Sequence, residues 1–149
     1  MIDELQARDE ACQLFNDGWQ LVDWSIVGGV APVIIWPGRV DKKPPPVDLP
    51  YVRFTMTPVD SRQASLAGDA NTKKWDNAGI INVQSFGPQS WPNGYDVAEY
   101  VAIMAKRVFQ GKKSPNGMWF RNCRTNRVDP SGGWHQFNTL IEYQFNELR

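Results

Sequence analysis

His135 is the only histidine in this 149-residue chain, and that limits the chemistry it can do. A histidine-based metal site would need several carboxylates brought to it. Asp129, Ser131 and His135 contain the residue types of a nucleophilic triad. Three polar residues around one turn are expected by chance, however, and no G-x-S-x-G elbow surrounds any serine. Gly111-Lys112 lacks the upstream glycine of a phosphate loop and follows a helical pattern where that loop precedes one. Asp3-Glu4 and Asp9-Glu10 pair carboxylates, but on what reads as a solvated helix face. Cys12 and Cys123 make no metal cluster, and sequence alone leaves a single bridge between them open. No catalytic, metal or cofactor site is therefore expected.

Charge is more informative than any motif. The chain holds 16 Lys+Arg and 16 Asp+Glu, a formal net charge of zero. By segment, residues 1–37 carry −5, 38–75 carry +3, 76–105 carry −3, 106–128 carry +7 and 129–149 carry −2. The +7 segment holds Lys106, Arg107, Lys112, Lys113, Arg121, Arg124 and Arg127 with no acid. Such a run suits nucleic acid or an acidic protein surface. Strict strand alternation would put Arg121 on one face and Arg124 on the other, which weakens a single basic stripe. Seven Trp are the second unusual feature. Trp75 and Trp91 fall in polar stretches read as loops. They are candidates for subunit contacts, with loop anchoring as the competing explanation. Lys73, Lys74, Lys112, Lys113, Arg121, Arg124 and Arg127 complete the set of candidate interface or lumen residues.

The elements that must position these residues follow from periodicity. Residues 3–17 predict a helix with Leu5, Cys12, Phe15 and Trp19 on one face and Gly18 as its stop. Val33–Trp36 is a short β-rich run. Tyr51–Thr57 alternates, with Val52, Phe54 and Met56 opposite Arg53, Thr55 and Thr57, and Pro58 ends it. Gln63–Leu66 predicts a short strand inside a polar loop spanning 60–77. Ala78–Phe86 is a strong strand. Asn93–Gln110 is a helix with Val97, Val101, Met104 and Val108 facing the core and Asp96/Glu99 as a capping box. Met118–Val128 and Thr139–Phe145 are strands separated by a turn at 129–133. This order predicts an α+β fold: a single domain over 1–149, with a mostly antiparallel mixed sheet packed by an N-terminal and a central helix.

Composition excludes other classes. Apolar residues are 42% and charged residues 21%, values that place the chain among ordinary globular domains. The longest charge-free apolar stretch, 25–38, is broken by Gly28, Gly29, Pro32 and Pro37 and is too short to span a bilayer, so no membrane partner is expected. The acidic opening Asp3-Glu4 is unlike an export signal, which points to synthesis in the cytosol. Zero net charge argues against a uniformly basic nucleic-acid binder and gives little protection against self-association.

Several segments together resemble one family. They are Pro50–Phe54, Gln63-Ala64-Ser65-Leu66-Ala67-Gly68, Gly79–Pro88, and Gly94 entering the helix Ala98-Glu99-Tyr100-Val101-Ala102 that ends near Phe109 and Gly111. This pattern is similar to the tail terminator (tail completion) proteins of long-tailed bacteriophages. The resemblance implies a non-enzymatic virion protein, assembled in the host cytoplasm and placed at the top of the tail. It implies a homo-oligomeric six-fold ring that stops tail-tube polymerisation and offers a surface to the head–tail connector, with genomic DNA passing through its lumen. The tail tube protein, the connector and other copies of the chain are then its partners. The Pro-rich stretch at 42–50 departs from the tighter connection such a domain would have. Polar loops at 60–77 and 111–117 are expected to be mobile until they order against the tube. A head–tail connector or neck subunit is an alternative of the same class. A DNA-binding accessory protein using 106–127 is one of a different class.

Overall fold

Helix α1 (Glu4–Gln20) starts where Asp3 and Gln6 cap each other. Asp3 accepts from the Gln6 backbone N–H at 2.8 Å, and the Gln6 side chain accepts from the Asp3 N–H at 3.1 Å. That reciprocal box satisfies two of the orphan donors of the first turn. The buried face is Ala7, Ala11, Phe15 and Trp19, a repeat of four. The expected face shared only Phe15 and Trp19 with it: Leu5 is 64% exposed and Cys12 half-buried. Gly18 is not a stop. The helix runs through it, because its missing side chain lets Val108 of the second helix come close. A Cβ at Gly18 would lie 2.8 Å from Val108 Cγ1.

The computed structural model describes residues 3–38, 48–64 and 73–148. Within them the chain is α+β, with five strands in the order β1-β2-β3-β5-β4. β1 (Val33–Ile35) runs parallel to β2 (Tyr51–Gln63) and covers only Tyr51–Arg53 of it. β2, β3 (Lys74–Pro88), β5 (Trp134–Leu148) and β4 (Trp119–Ser131) are mutually antiparallel.

Several strands are longer than their hydrophobic alternation predicts. Pro58 does not end β2; it sits beside a bulge, on a stretch β1 does not reach, where a missing N–H is tolerated. Residues 60–63 pair with 75–78 as the far end of the β2–β3 hairpin instead of forming a loop. Residues 65 and 66 of the predicted short strand, and most of the Pro-rich stretch, lie outside the described residues. Asp129 and Pro130 belong to β4. The β4–β5 turn is only Gly132 and Gly133, with φ of 60° and 84°. Two successive positive φ values are what a tight hairpin needs to match strand twist, and glycine supplies them without strain.

Helix α2 (Gly94–Phe109) lies across the sheet. No side chain caps its start, so Asp96/Glu99 does not form the expected box. Val97, Val101 and Val108 are buried as predicted, joined by Ala98, Ala102, Ala105 and Phe109. Phe15 is at the centre of the core, with ring centroids 4.9 Å from Trp19, 5.2 Å from Phe54 and 5.6 Å from Phe109. Beneath α2 the hydroxyl of Thr139 donates to the Ala102 carbonyl at 2.8 Å, which satisfies the one polar group of that buried position.

Candidate functional surfaces

The helices cover one face of the sheet. The inward positions of β3 and β5, among them Ile81, Val83, Phe137, Ile141 and Tyr143, are buried. The opposite face carries no helix among the described residues, and its residues are of another kind. The cross-strand register sets them in rows: Arg53, Gln84, Asn138 and Asn126; then Thr55, Asn82, Leu140 and Arg124; then Thr57, Ile80, Glu142 and Arg121. Amides dominate. The Gln136 side chain donates to Asn138 at 2.9 Å, and the Thr55 hydroxyl to the Asn82 carbonyl at 3.2 Å. Arg53 Nε and Asn82 Oδ1 are buried without a hydrogen-bond partner. One end of the face is aromatic, with Tyr51 stacked on Phe86 at 4.5 Å and Trp134 edge-on to Tyr51 at 5.0 Å.

The basic strand β4 differs from the alternation read from sequence. Asn122 has φ of 53°, and the register shifts between Arg121 and Arg124. The extra residue rephases the strand, so Arg121 opposite Glu142 and Arg124 opposite Leu140 share the open face. Asn122 bonds Glu142 through its amide and receives Arg124 on its carbonyl at 3.4 Å. Arg127, opposite Phe137, lies on the helix side, 3.8 Å from Asp129.

The other candidates separate. Lys112 and Lys113 are exposed after α2, and Lys113 bridges to Trp119 at the start of β4. Lys73 and Lys74 sit at the start of β3, with Lys74 opposite Leu148. Trp75 is not in a loop but in β3, half-buried between Gln63 and Glu147. Trp91 lies in the turn before α2, half-buried against the main core, which is the loop-anchoring arrangement. The 111–117 loop is tied to α1. Ser114 is buried and donates to Glu10 at 2.5 Å, and Asn116 donates to the same carboxylate. Sequence reasoning did not single out Arg53, Asn82, Gln84 or Asn138. The only signal for them was their place on the polar side of an alternating strand.

The enzyme-like constellations do not assemble. His135 packs edge-on to Tyr95 with its Nδ1 buried and unpartnered, and Asp129 faces Arg127. Among the described residues no hydrogen bond joins Ser131, His135 and Asp129, and no group of three or more His, Cys, Asp or Glu could hold a metal ion. Both cysteines are free thiols, each pushed up in pKa chiefly by burial. A cleft of about 370 Å³ opens between the start of α1 and the far end of the β2–β3 hairpin, lined by Leu5, Met56, Val59, Asn77, Tyr143 and Phe145 among others. Burial, and secondarily the charge of Glu4, push the Tyr143 hydroxyl up to about 12. No helix among the described residues is long and apolar enough to cross a membrane.

No family model and no curated protein matches the sequence. Among solved structures 17 chains match. One of them is 20% identical with a TM-score of 0.61, over 92% of this chain and 94% of that chain, and its name states no activity. At that identity the likeness shows the fold alone.

Proposed function

We propose that this protein is a tail terminator of a long-tailed bacteriophage: a virion subunit that closes into a ring on the tail tube, ends its polymerisation and presents a surface to the head connector. The observation that carries the reading is the one-sided sheet. One face is spent on the core, and the other is a broad polar surface with Arg53, Arg121 and Arg124 among amides and a single acid, Glu142, in its central rows. Such a surface suits a wall along which DNA passes without sequence readout, because guanidinium and amide groups meet phosphates and displace counterions. Electron microscopy of particles lacking the protein tests the reading. Overlong or headless tails are expected; normal tails on empty heads would point to a head–tail connector instead.

A DNA-binding accessory protein is the second reading, favoured by the bulge that brings Arg121 and Arg124 onto one face. Tight, steeply salt-dependent duplex binding by a monomer would establish it over the ring.

A further inference from the structure

Among the described residues the large apolar side chains left exposed fall into two groups. Leu21, Ile26, Val30, Val33 and Leu49 belong to one end of the sheet, Leu5, Val59 and Leu148 to the other, and only Tyr95 to neither. Register fixes these ends. Val33 opens β1 beside Tyr51, two residues after Leu49, whereas Val59 lies at the bulge of β2 and Leu148 closes β5 beside Lys74. Helix α1 spans the same length, with Leu5 in its first turn and Leu21 as its C-cap, roughly 24 Å apart at about 1.5 Å per residue.

The first group is convex. Gly28 and Gly29, with φ of 88° and 85°, turn the chain so that Val30 stands out, 75% exposed. The loop is held from below, which pre-organises it for contact. Trp24 Nε1 donates to the Trp19 carbonyl at 2.8 Å, Trp19 Nε1 to the Pro32 carbonyl at 3.0 Å, and the Gly29 N–H to the Trp24 carbonyl at 2.8 Å. Residues 24–38 contain no charged side chain, so covering the loop desolvates no charge of its own. The group exposes on the order of 500 Å², more than half of the ~800 Å² that each partner buries in a standard interface.

The second group is concave. Leu5 and Val59 line the cleft of about 370 Å³, with Met56, Tyr143 and Phe145 as its other apolar walls. Glu4, Arg8 and Asp60 are exposed and make a polar rim. A cleft cannot fill itself across a two-fold axis, but an apolar loop from another copy can fill it. Loop into cleft is a head-to-tail contact, the kind whose repetition closes a ring.

We infer that the loop carrying Val30 of one copy seats in the cleft between Leu5 and Val59 of the next copy. The inference rests on the ring reading and names the two surfaces that close the ring.

Val30→Asp and Leu5→Asp test it by native mass spectrometry, with folding checked by circular dichroism. Both positions are exposed, and each variant spoils one surface while leaving the other intact. Each alone should be monomeric. In an equal mixture the Val30→Asp copy still offers its cleft and the Leu5→Asp copy its loop. The mixture should therefore give dimers holding one copy of each, and nothing larger. Rings that persist in either variant alone, or a mixture that stays monomeric or regains rings, would overturn the loop-and-cleft assignment and leave the ring standing. A wild-type protein that is monomeric at every protein and salt concentration would overturn the ring reading and this inference together. Should an aspartate variant not fold, Val30→Ser or Leu5→Ser replaces it. Rings of the serine variant should fall apart at a protein concentration at least about tenfold above that of wild-type rings; an unchanged midpoint overturns the assignment.

Discussion

The two faces of one sheet follow different rules. Beneath the helices, the inward positions of β3 and β5 are buried and mostly apolar, with the Thr139 hydroxyl given a partner at 2.8 Å and the Ser85 hydroxyl buried without one. On the open face, the alternate positions of the same strands carry mainly amides, flanked by Arg53 of β2 and by Arg121 and Arg124 of β4, and Arg53 Nε and Asn82 Oδ1 are left without partners. The first face was shaped by burial, where a change in volume costs stability. The second is free of that constraint, so its composition is evidence about what it meets. Substitutions on the two sides should therefore differ in kind: stability on one, binding on the other.

The sharpest way to break that contrast is at the core centre. Phe15→Ala should cost about 3–5 kcal/mol in a denaturant titration; a loss below about 1 kcal/mol would mean the covered face is not the stabilising one. Gly18→Leu comes next. It forces α1 off Val108, and an overpacked contact should cost about 1–3 kcal/mol, read as a lower midpoint at unchanged slope.

An effect of intermediate size comes from pH. Tyr143 loses its proton near pH 10 in the unfolded chain but only at about 12 in the fold. The folded state thus holds the proton more tightly, so this contribution is intact below about pH 10 and is lost as pH rises from there toward 12. Tyr143→Phe should flatten the alkaline limb of the stability profile.

Asp3→Ala removes the cap of α1 and should cost about 1 kcal/mol, visible as earlier fraying of the first turn in hydrogen exchange. The smallest stability effect belongs to the open face. Arg124→Gln should shift stability by no more than about 0.5 kcal/mol and, if the open face meets DNA as proposed, lower the salt slope of that binding by about one unit. A large stability loss there would erase the distinction between the faces.

The sequence made the helices and the middle of each long strand legible, because hydrophobic period tracks burial. Val97, Val101 and Val108 repeat in step with α2, and Val52 and Phe54 alternate along β2. The strand ends were not legible. Residues 60–63 and 74–77 have little apolar alternation because they extend past most of the helical cover, so they resemble a loop although their backbones pair. Gly18 misled for a related reason: glycine marks a helix end as often as a close approach, and only Val108, far away in sequence, tells which. Of the candidate site, residue types were visible but facing was not. Trp91 in its turn and Arg121 with Arg124 on one side depend on a packing contact and a backbone kink that composition does not encode.

That kink at Asn122 gives β4 something like a reading frame. The chain counts residues and the sheet counts pairs, and at Asn122 the two counts part by one: Asn122 and Cys123 together occupy the place opposite Ile141. Deleting Asn122 would restore a regular ladder and keep Arg121 and Arg124 in phase. A β-branched residue there, resisting the left-handed backbone, would instead push the rest of the strand one place along and turn Arg124 toward the helices. The frame is thus set by a single residue whose own side chain is spent on Glu142.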